Sequence, residues 1–503
     1  MRMSESEEES SGGEDWPVTA DWLEATLTSY HRREGQMEEA AASVAVAEFS
    51  VRPGCEAGES VLSDILAVRV LYRVLPPDGT EDEPRALDLI VKLLPNDPFS
   101  RFFVTEAQFD LREIKRTEFN AILAPQTVWP PLRAQRCSCV FNLISVTLRA
   151  QSPESRENLS GPSLPRIRTE VSQRLLEAQT TSARPSNIRM TDVTTVVPEL
   201  EQFQRRLLSA DESPLELPIP RCYHAHYAAP GEDAEGSLSE SVLVLENLKS
   251  RGFRGADFSR GLTLREARAA LEAVARLHAL SLALKVREGR PLDERYPFLF
   301  QTARATDSYQ QLVERGLPQL ARFLERRPGL EAVLQSIAKL RPSTKELIAS
   351  LLAPQEPMAL ITHTDFWCNN LLFRDEGDDE RCACAVLDWQ MVTYSRPTND
   401  LALLLVSSLP TELRRRCTPD LLDRYWAELT ATSTRLGVDV EGDLGYARDQ
   451  LAEDYRRSQL LALLLCIGSV DVALGNALTE QRLVDVLQDL HQDGVLSPDL
   501  LAQ

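Results

Sequence analysis

The stretch "ITHTDFWCNNLLF" at residues 361–373 sets a His, an Asp and two Asn within eight positions, and "VLDWQ" follows at 386–390. Apolar residues flank both. Polar groups in such a setting cost free energy unless they have partners or a task. Asp365 and Asn370 stand five positions apart, and Asp388 lies eighteen beyond Asn370. Transfer of a phosphoryl group to a hydroxyl needs a carboxylate to accept or orient the hydroxyl proton. It also needs a second carboxylate and an amide oxygen to hold magnesium against the phosphates. Magnesium takes oxygen ligands and recruits few of them from protein. Asp365, Asn370 and Asp388 offer that set.

Further parts lie upstream. "RALDLIVKLLP" reads as a strand ending at Pro95, with Lys92 in an otherwise apolar run, and Glu113 follows twenty-one residues later in the helix-like "FVTEAQFDLREIKR". A lysine for the α/β-phosphates and a glutamate to fix it complete the requirement. Taken singly, each residue has an ordinary reading. Lys92 suits a solvated strand edge, Glu113 a helix surface, Asp365 a helix cap and Asp388 a turn. Kept order and spacing favour the joint reading.

These residues also carry a resemblance. "HTDFWCNNLLF" resembles the His-Gly-Asp-x-Trp-x-x-Asn-x-x-Phe motif of the ecdysteroid-kinase-like (CHK kinase-like) family. That family belongs to the choline kinase and aminoglycoside phosphotransferase group of the protein-kinase-like fold. "VLDWQ" is similar to its Asp-Phe-Gln, "LIVKLLP" to its nucleotide-lysine strand and "FDLREIK" to the helix bearing the partner glutamate. "LVLENLKSRGFRGAD" at 243–257 resembles its hinge, and "ARLHALSLAL" at 275–284 its Leu-His-Ala-x-Ser helix. The resemblance spans roughly 40–115 and 193–475.

The resemblance implies a bilobal α+β fold, with a small antiparallel-sheet N-lobe and a larger helical C-lobe. It implies an ATP- and Mg2+-dependent phosphotransferase acting on a small-molecule alcohol, of which an ecdysteroid is the eponymous case. By position, Asp365 is the catalytic base, Asn370 and Asp388 are metal ligands, and Lys92 and Glu113 are the phosphate-binding pair. Gly58 and Ser60, with Ser63, align loosely with the phosphate loop, and Glu246 and Leu248 face adenine through backbone groups. His363 reads as a brace of the catalytic loop, His278 as a packing residue, and Asp400 as the residue that fixes the loop. Two departures stand out: Thr364 replaces the family's Gly, and Trp389 replaces its Phe. Glycine serves where φ is positive, and a β-branched Thr is poor there.

Other classes compete. A choline- or ethanolamine-type or antibiotic-type kinase needs an acidic or aromatic cage for a cation, for which Trp367, Tyr394 and Trp426 are candidates. A pseudokinase scaffold is the reading from outside enzymology, and it would not need the five residues Lys92, Glu113, Asp365, Asn370 and Asp388.

The bulk sequence sets limits on partners. At 503 residues the chain exceeds one ordinary core, so at least two lobes are expected. A formal net charge of −21 disfavours nucleic acid and anionic membrane, because phosphates are repelled. The opening "MRMSESEEESSGGED" has no apolar core and reads as a disordered acidic tail over 1–15 rather than a signal peptide. "LLALLLCIGSVDVAL" at 460–474 reads as a buried helix, too short to span a bilayer. Nine cysteines fit a reduced, cytoplasmic protein. Cys137/Cys139 and Cys382/Cys384 form Cys-x-Cys pairs, and the second pair reads as alternate strand positions.

Along the chain, residues 16–50 read as helical, 60–75 as one or two strands, and "SVLVLENLKSRGF" at 241–253 as a buried strand and linker. "LTLREARAALEAVARLHALSLALK" at 262–285 reads as a long helix with a Thr263–Glu266 capping box. The chain divides into an N-lobe over 16–247 and a C-lobe over 248–503. Residues 116–192 read as an insertion: between 125 and 190 there are nine Arg, no Lys, four Glu and no Asp, amid Ser and Pro.

Overall fold

A computed structural model describes residues 18–33, 43–55, 63–75, 83–95, 215–226, 241–288, 292, 296–300, 302–377 and 381–497. The acidic tail, Gly58, Ser60, Glu113 with its helix, and the 116–192 insertion lie outside the described residues.

The first described helix is Ala20–Arg33. Strands follow: β1 (Ser43–Pro53), β2 (Asp64–Leu75), β3 (Arg85–Leu93), β4 (Cys222–His226) and β5 (Val242–Glu246). They form one antiparallel sheet in the order β1-β2-β3-β5-β4. The β1 region corrects the helical reading of 16–50. "SVAVAEFSV" alternates and is rich in β-branched Val, so it pairs along β2 rather than extending the helix.

Period-2 alternation sorts this sheet into two faces. Leu66, Val68 and Val70 of β2 and Leu89 and Val91 of β3 pack with Leu23, Leu27 and Tyr30 of the helix. Each such buried side chain contributes roughly 1.5–3 kcal/mol relative to exposure. Lys92, next to Val91, therefore points to the opposite face, and that parity is what makes it available to the site.

After β5 a 3-10 turn (Leu248–Arg251) leads into the helical remainder. The helix Leu264–Glu288 begins with the predicted capping box. Thr263 N–H and Oγ1 donate to Glu266 Oε2 at 3.0 and 2.9 Å, and Glu266 N–H donates to Thr263 Oγ1 at 3.2 Å. Helices Thr302–Glu325, Pro397–Ser408, Thr411–Arg435, Arg448–Gly468 and Ala477–Gln492 share a second, larger core with it. "LLALLLCIG" ends the buried helix Arg448–Gly468. No described helix is long and apolar enough to cross a membrane. The architecture is the expected bilobal α+β arrangement.

Two small ladders interrupt the helices. β7 (Leu360–Thr362) pairs with β10 (Thr393–Ser395), while β8 (Leu371–Asp375) lies between β6 (Arg254–Gly255) and β9 (Cys382–Val386). Cys382 and Cys384 occupy alternate β9 positions as free thiols. The β7/β10 pairing closes the chain on itself, so the loop after β7 and the turn after β9 meet. That closure brings Asp365 and Asp388 together.

Candidate active site

The loop after β7 carries Asp365 and Asn370. Asn370 Nδ2 donates to the Asp365 carbonyl at 2.9 Å and to its Oδ2 at 2.8 Å. With its nitrogen so used, Asn370 presents Oδ1 as its acceptor. Leu387, the residue before Asp388, is tied to the same residue, its N–H donating to the Asn370 carbonyl at 2.8 Å. Asp388 itself has φ 55° and ψ 72°, a left-handed conformation that Asp tolerates better than most residues. The bend directs its carboxylate at the sheet, where Lys92 Nζ donates to Asp388 Oδ1 at 2.9 Å. The structure thus brings Lys92, Asp365, Asn370 and Asp388 into one cluster.

His363 braces the loop. The Asp365 N–H donates to His363 Nδ1 at 3.2 Å, and His363 Nε2 lies 2.7 Å from the Leu387 carbonyl. A carbonyl only accepts and an amide N–H only donates, so Nε2 carries the proton and the ring is neutral. One imidazole thereby joins the Asp365 loop to the Asp388 turn. Asp400, fully buried, receives the N–H groups of His363 at 2.7 Å and Thr364 at 2.6 Å. His278 Nε2 lies 3.1 Å from Asp400 Oδ2, and its Nδ1 lies 2.9 Å from the Tyr425 hydroxyl. His278 is thus more than the packing residue expected. Tyr425, 147 positions away from it, carried no sequence signal.

Burial pushes the Asp365 carboxyl up to about 7, and the Asp388 carboxylate adds to that push, while donors on Asn370 and Trp367 pull it down. A base poised near neutrality suits proton acceptance from a hydroxyl.

Thr364 stands at φ 66°, the left-handed region that explains the family's Gly there. The side chain is held by a buried hydroxyl trio. Thr364 Oγ1 lies 2.7 Å from Thr393 Oγ1 and 3.0 Å from Thr362 Oγ1, and the latter two are 3.1 Å apart. Left-handed backbone costs a non-glycine residue roughly 1–2 kcal/mol, against about 1 kcal/mol for a lost hydrogen bond. Thr364→Gly relieves the first and loses the second, so it should be near neutral. Thr364→Val keeps the strain and loses the bond, so it should be less stable than the Gly variant by roughly 1–2 kcal/mol. Urea denaturation of both variants checks this; a Val variant as stable as the Gly variant would contradict the strain argument.

At the hinge, the Glu246 N–H donates to the Arg221 carbonyl at 2.8 Å and its carboxylate meets Arg251 Nη1 at 3.2 Å. Asn247 Oδ1 accepts from the Lys249 N–H at 3.1 Å, and Leu248 is buried. The three cage candidates pack on separate neighbours: Trp367 on Phe258, Tyr394 on Phe300 and Trp426 on Tyr446.

The antiparallel sheet carrying Lys92, the helical remainder, and the Asp-x4-Asn loop set beside the Asp388 turn agree with the protein-kinase-like fold class. The profile of the ecdysteroid kinase-like family matches residues 193–438. That stretch holds Glu246, Leu248, the loop with Asp365 and Asn370, and the Asp388 turn. Distant similarity extends to three solved structures. Choline kinase from Cryptosporidium parvum Iowa II is 11% identical with a TM-score of 0.37, covering 90% of this chain and 93% of that one. Plasmodium vivax ethanolamine kinase is 10% identical with a TM-score of 0.34, covering 92% and 87%. The amicoumacin kinase hAmiN, in complex with AMP-PNP, Ca2+ and Ami, is 11% identical with a TM-score of 0.33, covering 90% and 91%. No curated protein sequence matches the chain.

Proposed function

We propose that this protein transfers the γ-phosphoryl group of ATP to a hydroxyl of a small molecule. The observation that carries the reading is the single cluster of Lys92, Asp365, Asn370 and Asp388. Its donor chemistry fits the ligands concerned. Asn370 Oδ1 and the Asp388 carboxylate are hard oxygen donors of the kind Mg2+ takes, and Lys92 is the cation for the α/β-phosphates. Bound there, Mg2+ supplies charge neutralisation on the phosphates.

The chain's own residues do the rest. Asp365 orients the acceptor hydroxyl and receives its proton, with Asn370 Nδ2 holding Oδ2 in place. His363, Asp400 and His278 keep the loop in register. By the family pattern, Glu113 fixes Lys92, Gly58 and Ser60 cover the phosphates, and backbone groups at Glu246 and Leu248 take adenine. An ecdysteroid-like alcohol is the acceptor that the family name suggests. We place the activity in the cytoplasm, in keeping with the thiols of Cys368, Cys382, Cys384, Cys417 and Cys466, which form no disulfide. In domain terms we assign 16–247 to the N-lobe and 248–503 to the C-lobe, with 116–192 outside the kinase core.

The test is a panel of small alcohols, including steroid alcohols, choline and ethanolamine, screened for phosphate uptake from γ-labelled ATP. Thermal stabilisation by ATP should require Mg2+. A protein that ATP does not stabilise in the presence of Mg2+, and that labels no acceptor, would favour the scaffold reading.

A further inference from the structure

The Asp400 carboxylate clasps the main chain at the left-handed Thr364, receiving the His363 N–H on Oδ2 at 2.7 Å and the Thr364 N–H on Oδ1 at 2.6 Å. Its third contact is His278 Nε2, 3.1 Å from Oδ2. An imidazole held at one nitrogen pivots about that bond, so the far nitrogen decides whether the donor stays in line. His278 Nδ1 lies 2.9 Å from the Tyr425 hydroxyl, and the two rings meet edge-on with centroids 5.9 Å apart and planes at 75°. All three side chains are buried. Burial pushes the Tyr425 phenol well above its ordinary range, so the hydroxyl keeps its proton. Both Asp400 oxygens act as acceptors, so Nε2 carries the ring proton, and the Tyr425 hydroxyl donates to the bare Nδ1. That is the one hydrogen bond of this hydroxyl among the described residues.

We propose that Tyr425 is a positioning residue for the catalytic loop: its hydroxyl holds His278 by the far nitrogen, so that Nε2–H stays on Asp400 and Asp400 keeps the backbone ahead of Asp365 in its left-handed turn. The inference rests on the phosphotransfer reading above. The line of contact is continuous. It runs from Tyr425 through His278 and Asp400 to the His363 and Thr364 amides, and the Asp365 N–H that follows is held by His363 Nδ1 at 3.2 Å. A non-glycine residue in the left-handed region persists only where its surroundings enforce it, and the Asp400 clasp is that enforcement. Loosening the clasp lets Thr364 relax and turns the Asp365 carboxyl away from the acceptor. The helix Thr411–Arg435 contributes no residue to the cluster of Lys92, Asp365, Asn370 and Asp388, so Tyr425 acts through His278.

The experiment compares wild type, Tyr425→Phe, His278→Gln and the double variant. Phe keeps the ring and removes the hydroxyl, while Gln keeps an N–H donor for Asp400 without a second nitrogen to be held. ADP release from magnesium-ATP, with water as acceptor, is the assay. Tyr425→Phe should lose about 10-fold in kcat with KM for magnesium-ATP unchanged, as expected for a base moved out of line. A variant with 4-fluorophenylalanine at 425 fills the space of the hydroxyl without its proton and should match Tyr425→Phe. In the His278→Gln background Tyr425→Phe should cost nothing more, because the route through the imidazole is already gone. Independently of turnover, hydrogen exchange read by mass spectrometry should be faster at the 362–366 amides of Tyr425→Phe, while segments 264–288 and 411–435 keep wild-type protection. Full kcat in Tyr425→Phe would overturn the proposal alone. So would equal losses in both backgrounds, or faster exchange in the two helices rather than the loop, each marking a packing role only. A wild type that releases no ADP and is not stabilised by magnesium-ATP would overturn the phosphotransfer reading, and the proposal with it.

Discussion

Asp365→Asn should lower phosphotransfer by about 10²–10⁴-fold, the usual range for loss of a general base, while nucleotide affinity stays nearly constant. The amide keeps the acceptor oxygen for Asn370 Nδ2 but cannot take a proton. The same substitution should stabilise the metal-free protein at neutral pH. Burial holds the Asp365 carboxyl at about 7, against 3.8 for an ordinary aspartate. Between those values the folded state keeps a proton that the unfolded state has released. Unfolding free energy attributable to this group therefore falls as pH rises from about 4 to about 7, and stays low above that. Removing the group should recover on the order of 1–3 kcal/mol at pH 7.5 and flatten that slope. Equal turnover in the variant would remove Asp365 from the mechanism. Equal stability across this pH range would mean that the carboxyl is better hydrated than its surroundings imply.

Asp388→Ala should have the second large effect, on binding rather than chemistry. It deletes a proposed metal ligand and the Lys92 contact together. Magnesium-dependent ATP affinity should fall by about 10- to 100-fold, as loss of one charge-assisted contact worth roughly 1.5–3 kcal/mol would lead one to expect. Binding of metal-free ATP should not weaken and should rise somewhat, because phosphate no longer has to displace the Asp388 carboxylate from Lys92. Calorimetry with and without Mg2+ separates the two. Wild-type affinity for magnesium-ATP in Asp388→Ala would make the metal assignment wrong. The ordering matters as well: Asp365→Asn should bind magnesium-ATP far better than Asp388→Ala does.

Local pattern was enough for much of this architecture. Lys92 stands out as one charge in an apolar strand because the anomaly lies within that strand, and the Thr263–Glu266 box is legible because a cap is contained within four residues. Contacts closed by distant pairing were not legible. Thr364 was visible as an anomaly, but its compensation depends on Thr393, which reaches it only once β7 and β10 have paired. Tyr425 meets His278 through helix packing, which leaves no mark on either helix's own sequence. β1 was misread because a helix and a strand abut within 16–50, and a window spanning both blurs their periods.

Lys92 and Asp388 are separated by 296 positions, yet one contact joins the sheet to the turn after β9. Under the roles proposed above, each would be the other's stand-in ligand. A free phosphate approaching Lys92 would have to displace a carboxylate, and a free divalent ion approaching Asp388 would have to displace an ammonium. Either exchange alone would separate the old pair and supply only one of the two replacements. Magnesium-ATP would bring both counter-charges in one body, so that the old pair is traded for two new ones in a single step. Metal and nucleotide would thereby be coupled, each raising the affinity for the other by the same factor. On that proposal the resting protein would act as a logical AND on its two ligands, responding weakly to ATP or Mg2+ alone and strongly to both.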